Sequence, residues 1–188
     1  YSARSILRKV FALIPTAYKF LEIGIAAGPM SQVEIAIGDI RGNRIVLPHA
    51  TWMAFIEKRS DIQQLVRSST PSPLMIQDLV IELVKIRDID NVKLSLCDKC
   101  VYKKPSTILF KLELEQCVEH AYFDLCQYTN IVSDKFDYFV NYLRQNCIMN
   151  KLEAVNTLRR IYDNHSGIAC ELIVYAVDNI VYNALHEK

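Results

Sequence analysis

Two sets of side chains in this chain have the chemistry to hold something. The first is Cys97, Cys100, Cys117 and His120: a Cys-x-x-Cys pair, sixteen intervening residues, then Cys-x-x-His. These are the ligand types and paired gaps of a tetrahedral zinc site. Neither pair carries the Gly or Pro that commonly bends a zinc knuckle, and the run between them reads as core, so ordinary thiols are the competing reading. The other cysteines, Cys126, Cys147 and Cys170, read as small core hydrophobes. The second set is cationic and aromatic: Tyr18, Lys19, Phe20, Arg41, Arg44, Lys85, Arg87, Lys93, Tyr102, Lys103, Lys104 and Lys111. On outward strand positions and turns, such residues follow a flexible phosphate backbone and stack bases, which is the chemistry of single-strand binding. The Arg41/Arg44 pair and the Tyr102, Lys103, Lys104 turn lead this group, although lysines on exposed sheets also act as solvated charges that guard edges. No nucleophile elbow, phosphate loop, dinucleotide fingerprint or His-Glu metalloprotease motif is present, so we expect no enzyme.

The elements that would position these residues can be read from periodicity. Ile6, Leu7, Val10, Phe11 and Ile14 share one helical face, predicting an N-terminal helix over residues 4–14 that ends near Pro15. Alternation over 18–25 and 33–37, with Gly28 and Pro29 between, predicts a hairpin. Arg41 to Arg44 forms the next turn and 45–47 a short strand. A helix from about His49 to Arg67 follows, with Trp52, Phe55, Ile56, Ile62 and Leu65 inward. Residues 68–73, Ser, Ser, Thr, Pro, Ser and Pro, have linker composition. Beyond them, strands are expected over 76–86, 92–97 and 108–114. Residues 118–125 are ambiguous between strand and helix, and strand is favoured. Helices are expected at 133–145, 150–162 and 166–186, the last with an apolar face of Ile168, Leu172, Ala176, Ile180 and Leu185.

One phrase recurs. Leu47, Trp52, Phe55 and Ile56 are spaced like Ile131, Phe136, Phe139 and Val140, an aliphatic strand end followed by a helix. We therefore expect an α+β fold of two antiparallel sheet-plus-helix units arranged as a pseudo-dimer, with flanking N- and C-terminal helices. The expected divisions are 1–67, a linker at 68–73, 74–146, and a helical extension at 147–188.

The segment Arg44 to Ile62, with its Leu47, Pro48, Trp52 and Phe55 spacing and the preceding Val33 to Asn43 hairpin strand, resembles the domain of positive cofactor four. The resemblance spans roughly residues 18–67. It implies the fold of that family and of the related whirly proteins, in which two sheet-helix units bind single-stranded nucleic acid along curved sheets. The chain departs from the family in lacking a rich basic face and in carrying helices at both ends.

Composition sets the outer bounds. With 188 residues and 51% apolar content the chain can bury a sizeable core. Its 22 basic and 21 acidic residues leave a net charge of +1, which excludes a broad positive field, so phosphate binding must use a local patch. Charges interrupt every apolar stretch short of a membrane span, so no membrane partner is expected. The six cysteines read as reduced thiols of an intracellular protein, the expected function places it in the nucleus, and Tyr1 in place of Met predicts a cut from a longer chain. The expected function is non-catalytic single-stranded DNA or RNA binding in replication or transcription, with no cofactor unless zinc is held. The alternative is a protein-interaction or homodimerisation module that uses the C-terminal helices.

Overall fold

The computed structural model describes residues 5–186. It has an α+β fold with two four-stranded antiparallel sheets that repeat one meander topology. The first takes β1 (Ile6–Ala12), β2 (Lys19–Ala26), β3 (Gln32–Asp39) and β4 (Arg44–Leu47) in that order. The second takes β5 (Leu74–Ile76), β6 (Leu79–Ile86), β7 (Ile89–Leu96) and β8 (Lys99–Lys103). Eight helices complete the described chain. Helices α1 (His49–Glu57) and α2 (Arg59–Arg67) follow the first sheet, and α3 (Pro105–Glu113) and α4 (Glu115–Cys126) follow the second. The rest are α5 (Thr129–Gln145), α6 (Lys151–Ile161), α7 (Gly167–Tyr175) and α8 (Val177–Leu185).

Several segments differ from expectation. Residues 6–12 form β1 instead of a helix, while Arg4 lies outside the described residues. Along β1 exposure alternates residue by residue, and sheet pairing outweighs a weak helical stripe in a run rich in β-branched and aromatic side chains. The run over 76–86 breaks at Gln77, whose φ is +53°, and becomes the β5–β6 hairpin. Residues 108–113 and 118–125 are helical, with Leu114 in the break between α3 and α4. Pro105 at the first helical position starts α3, and Val118, Ala121 and Leu125 bury the helical alternative of an ambiguous pattern. The second meander thus ends at Lys103, not at Leu125. Ile131 lies inside α5, so no strand end stands there and the phrase seen at Leu47 has no copy at Ile131. The expected helix over 49–67 is broken at Lys58, and that over 166–186 bends by 74° at Ala176.

Two compact units divide the described chain. One takes residues 5–8, 24–33 and 122–186. Its core includes Leu125, Phe136, Phe139, Leu143, Leu158, Leu172 and Ile180. Within it the Leu7 amide donates to the Glu171 carboxylate at 2.7 Å, Ser31 N–H donates to Ser133 Oγ at 2.9 Å, and Asn179 Nδ2 donates to the Ala27 carbonyl at 3.1 Å. The Arg144 guanidinium donates to the Asn183, Ala184 and His186 carbonyls, satisfying the C-terminal end of α8. Among the described residues no single helix is long and apolar enough to cross a membrane.

The other unit takes residues 9–23 and 34–121 and carries the candidate site. Its core combines Leu21, Ile23, Ile35 and Ile37 with Trp52, Phe55, Ile62, Leu79, Ile81, Leu94, Ile108 and Val118. Strands β4 and β8 lie against one another in it. The strand-helix-helix segment occurs twice here without a gap: β4, α1 and α2 run in step with β8, α3 and α4 at a spacing of 56 residues. Each strand ends one residue before a helix cap, each first helix has nine residues, and Thr51 and Thr107, Trp52 and Ile108, and Ile62 and Val118 are buried at matching positions.

Candidate nucleic-acid interface

Duplication exposes an anomaly. The two buried apolar side chains Leu47 and Phe55 of the first copy correspond to Lys103 and Lys111 in the second. Both lysines are as buried as their counterparts, Lys103 at 1% and Lys111 at 0% exposure. Lys103 ends β8, in register with Val92, and its Nζ donates to the Gly38 carbonyl at 2.9 Å. Gly38 sits under the Phe20 ring. Lys111 lies in the last turn of α3, and its Nζ is buried with no hydrogen-bond partner. A buried ammonium without a partner is strongly unfavourable.

Lys19, at the start of β2, completes the group. Its Nζ donates to the Tyr102 carbonyl at 3.3 Å. Burial lowers the Lys111 pKa well below the lysine range, and the charges of Lys103 and Lys19 push it the same way. Burial, then the Lys19 charge, lower Lys103 to about 8 against the pull of Asp39. Lys19 is lowered by burial and by Lys104, again against Asp39. The Asp39 carboxylate accepts from the Arg41 and Asn43 amides and from Asn43 Nδ2. Burial raises its pKa, but those bonds and the Lys103 charge outweigh this and hold it below the usual carboxylate range.

Around these buried amines lies an exposed rim. Arg41, in the β3–β4 turn where Gly42 takes φ +90°, stands over the Tyr18 ring at 5.6 Å, a cation–π contact. Tyr102 and Lys104 are exposed beside Lys103. The structure therefore gathers Tyr18, Lys19, Arg41, Tyr102, Lys103, Lys104 and Lys111 from β2, the β3–β4 turn, β8 and α3. No family model, curated protein or solved structure is significantly similar to the chain.

Other expected residues fall elsewhere. Arg44 is held by Glu22 at 3.2 Å and Glu34 at 3.8 Å, so its charge is already matched. Lys85 stands opposite Asp90 in the β6–β7 register, and Arg87 lies in the turn beside Asp88. Lys93 faces Tyr102 on one side and Glu82 on the other. The outward placement expected for Lys103 and Lys111 is overturned, because β8 ends on its inward position and Lys111 lies on the buried face of a helix where a strand was expected. The zinc grouping is not assembled. Cys97 and Cys100 lie at the β7–β8 hairpin and Cys117 and His120 on α4, and no three His, Cys, Asp or Glu side chains among the described residues are placed to hold a metal ion. All six cysteines are free, and five are exposed; Cys126 is half-buried, so Cys147 and Cys170 are not core residues. His49 reaches Glu119 at 3.1 Å.

Sequence reading missed the Gly38 carbonyl, the Asp39 carboxylate and the depth of the two lysines. The signal that finds the lysines is the 56-residue spacing, which sets Lys103 on Leu47 and Lys111 on Phe55.

Proposed function

We propose that this chain is a non-catalytic single-stranded nucleic-acid-binding protein acting in replication or transcription within the nucleus. The reading is supported by one observation above the rest: cations and aromatic rings from four separate segments converge with Asp39 as the acid among them. Phosphates would meet Lys19, Arg41 and Lys104, and bases would stack on Tyr18 and Tyr102. The duplicated sheet-helix architecture is in keeping with the resemblance to positive cofactor four and the whirly proteins.

Fluorescence anisotropy of labelled single-stranded and duplex oligonucleotides across a salt series tests this. Salt-sensitive binding that prefers single strands, weakened by Arg41→Ser and Lys104→Ser, is the expected result. Absence of binding at low salt removes the reading. A protein-docking role remains the second reading, favoured by the exposed Leu152, Val174, Tyr182 and Leu185 on α6 to α8. Much of the face it was expected to use, Leu172, Ala176 and Ile180, is already buried within the chain. Concentration-dependent mass in light scattering, without nucleic-acid binding, would select it.

A further inference from the structure

We propose that Lys19, Lys103 and Lys111 form a subsite for a phosphate monoester dianion, the terminal phosphate of the bound strand. The proposal rests on the nucleic-acid reading only for the group that carries the phosphate. Three observations carry it. Two apolar core positions of one copy are lysines in the other, at the same depth. Lys103 and Lys19 each spend one donor on a carbonyl and keep others, while Lys111 spends none. Of the charged groups facing Lys111, Lys103 and Lys19 are cations, and the nearby Asp39 is occupied by the Asn43 side chain and the turn amides.

The geometry selects among anions. A phosphodiester inside a strand has one negative charge and is flanked by sugars on both sides, so it is held at the rim by Lys104, Arg41 and Lys19. A terminal phosphate is attached on one side only, carries close to two charges at neutral pH, and presents three oxygens. It alone among the strand's groups carries the charge and the three free oxygens that three lysine amines can share; because Lys111 is 0% exposed, seating it requires the side chains over Lys111 to move aside. In binding, it replaces the missing partner of Lys111, so the donor that is unsatisfied in the free chain becomes a charge-assisted bond.

The test uses the full chain and oligonucleotides of one sequence ending in hydroxyl, 5′-phosphate or 3′-phosphate, compared by anisotropy for wild type, Lys111→Met and Lys103→Leu. In parallel, inorganic phosphate is titrated in thermal melts against chloride at matched ionic strength. One phosphorylated end should bind wild type about tenfold more tightly than hydroxyl ends, the scale of one added charge-assisted bond. Both variants should lose that preference while binding hydroxyl-ended strands as wild type does. Circular dichroism confirms their fold, and each should melt no lower than wild type. Strand binding with equal affinity for all ends in wild type overturns the subsite and leaves the nucleic-acid reading standing. A phosphate-dependent rise in Tm lost in both variants, with no strand bound, upholds the subsite for a free phosphate monoester and removes the nucleic-acid reading. Neither response overturns both.

Discussion

Lys111 and Lys103 carry a cost that Phe55 and Leu47 do not, because folding strips water from two amines and supplies one carbonyl in return. Restoring the first copy's residues, Lys111→Phe with Lys103→Leu, should therefore stabilise the protein by roughly 1 to 4 kcal/mol in denaturant unfolding, the range seen when buried ions give way to packed hydrophobes. The pH dependence has a definite sign. In the unfolded chain both amines titrate near 10.4. In the folded chain Lys103 titrates at about 8 and Lys111 is also held well below the lysine range. The unfolded state then binds more protons over that interval, so wild-type stability from these groups rises as pH climbs from about 8 towards 10. The gap between double variant and wild type should be widest below pH 8 and close towards pH 10. A gap that widens with pH would contradict this placement of the amines.

Strand β3 shows how an element serves the site. A Cβ on Gly38 would meet the Asn43 carbonyl at 3.0 Å and the Phe20 ring at 3.4 Å, so the backbone there must carry no side chain. Gly38→Val should cost about 1 to 3 kcal/mol from overpacking. By moving the Lys103 acceptor it should also reduce the preference for a phosphorylated strand end, measurable by thermal melting and anisotropy on the same sample. Elements whose signals are local were readable beforehand: β2 to β4, the Gly42 turn, and α6, where Asn150 accepts from the Glu153 amide. Ile108 to Leu114 was not, because Ile108, Phe110, Leu112 and Leu114 alternate as well as they fit a helix, and only Pro105 marks the start. That one misreading put Lys111 on a solvated strand face. Recognising β8 as the counterpart of β4 would have corrected the register of the repeat and exposed both lysines. Arg44 was misjudged for a different reason: Glu22 and Glu34, its partners, come from other strands.

The molecule as a whole offers a strand little long-range attraction, since its charges nearly cancel. Affinity for a hydroxyl-ended strand then depends on about three contacting cations, Lys19, Arg41 and Lys104, and log K should fall against log salt with a slope near −2, at roughly −0.7 per phosphate for single strands. A slope near −7 would mean that a second surface takes part. The near-repeat of β4, α1 and α2 by β8, α3 and α4 has one more consequence. Two identical halves would offer a chain of nucleotides two equivalent starting points and no sense of direction. With Lys103 and Lys111 in one half alone, a strand end seated beside Lys111 in the proposed subsite would leave by a single route, and such a protein would distinguish the head of a strand from its tail.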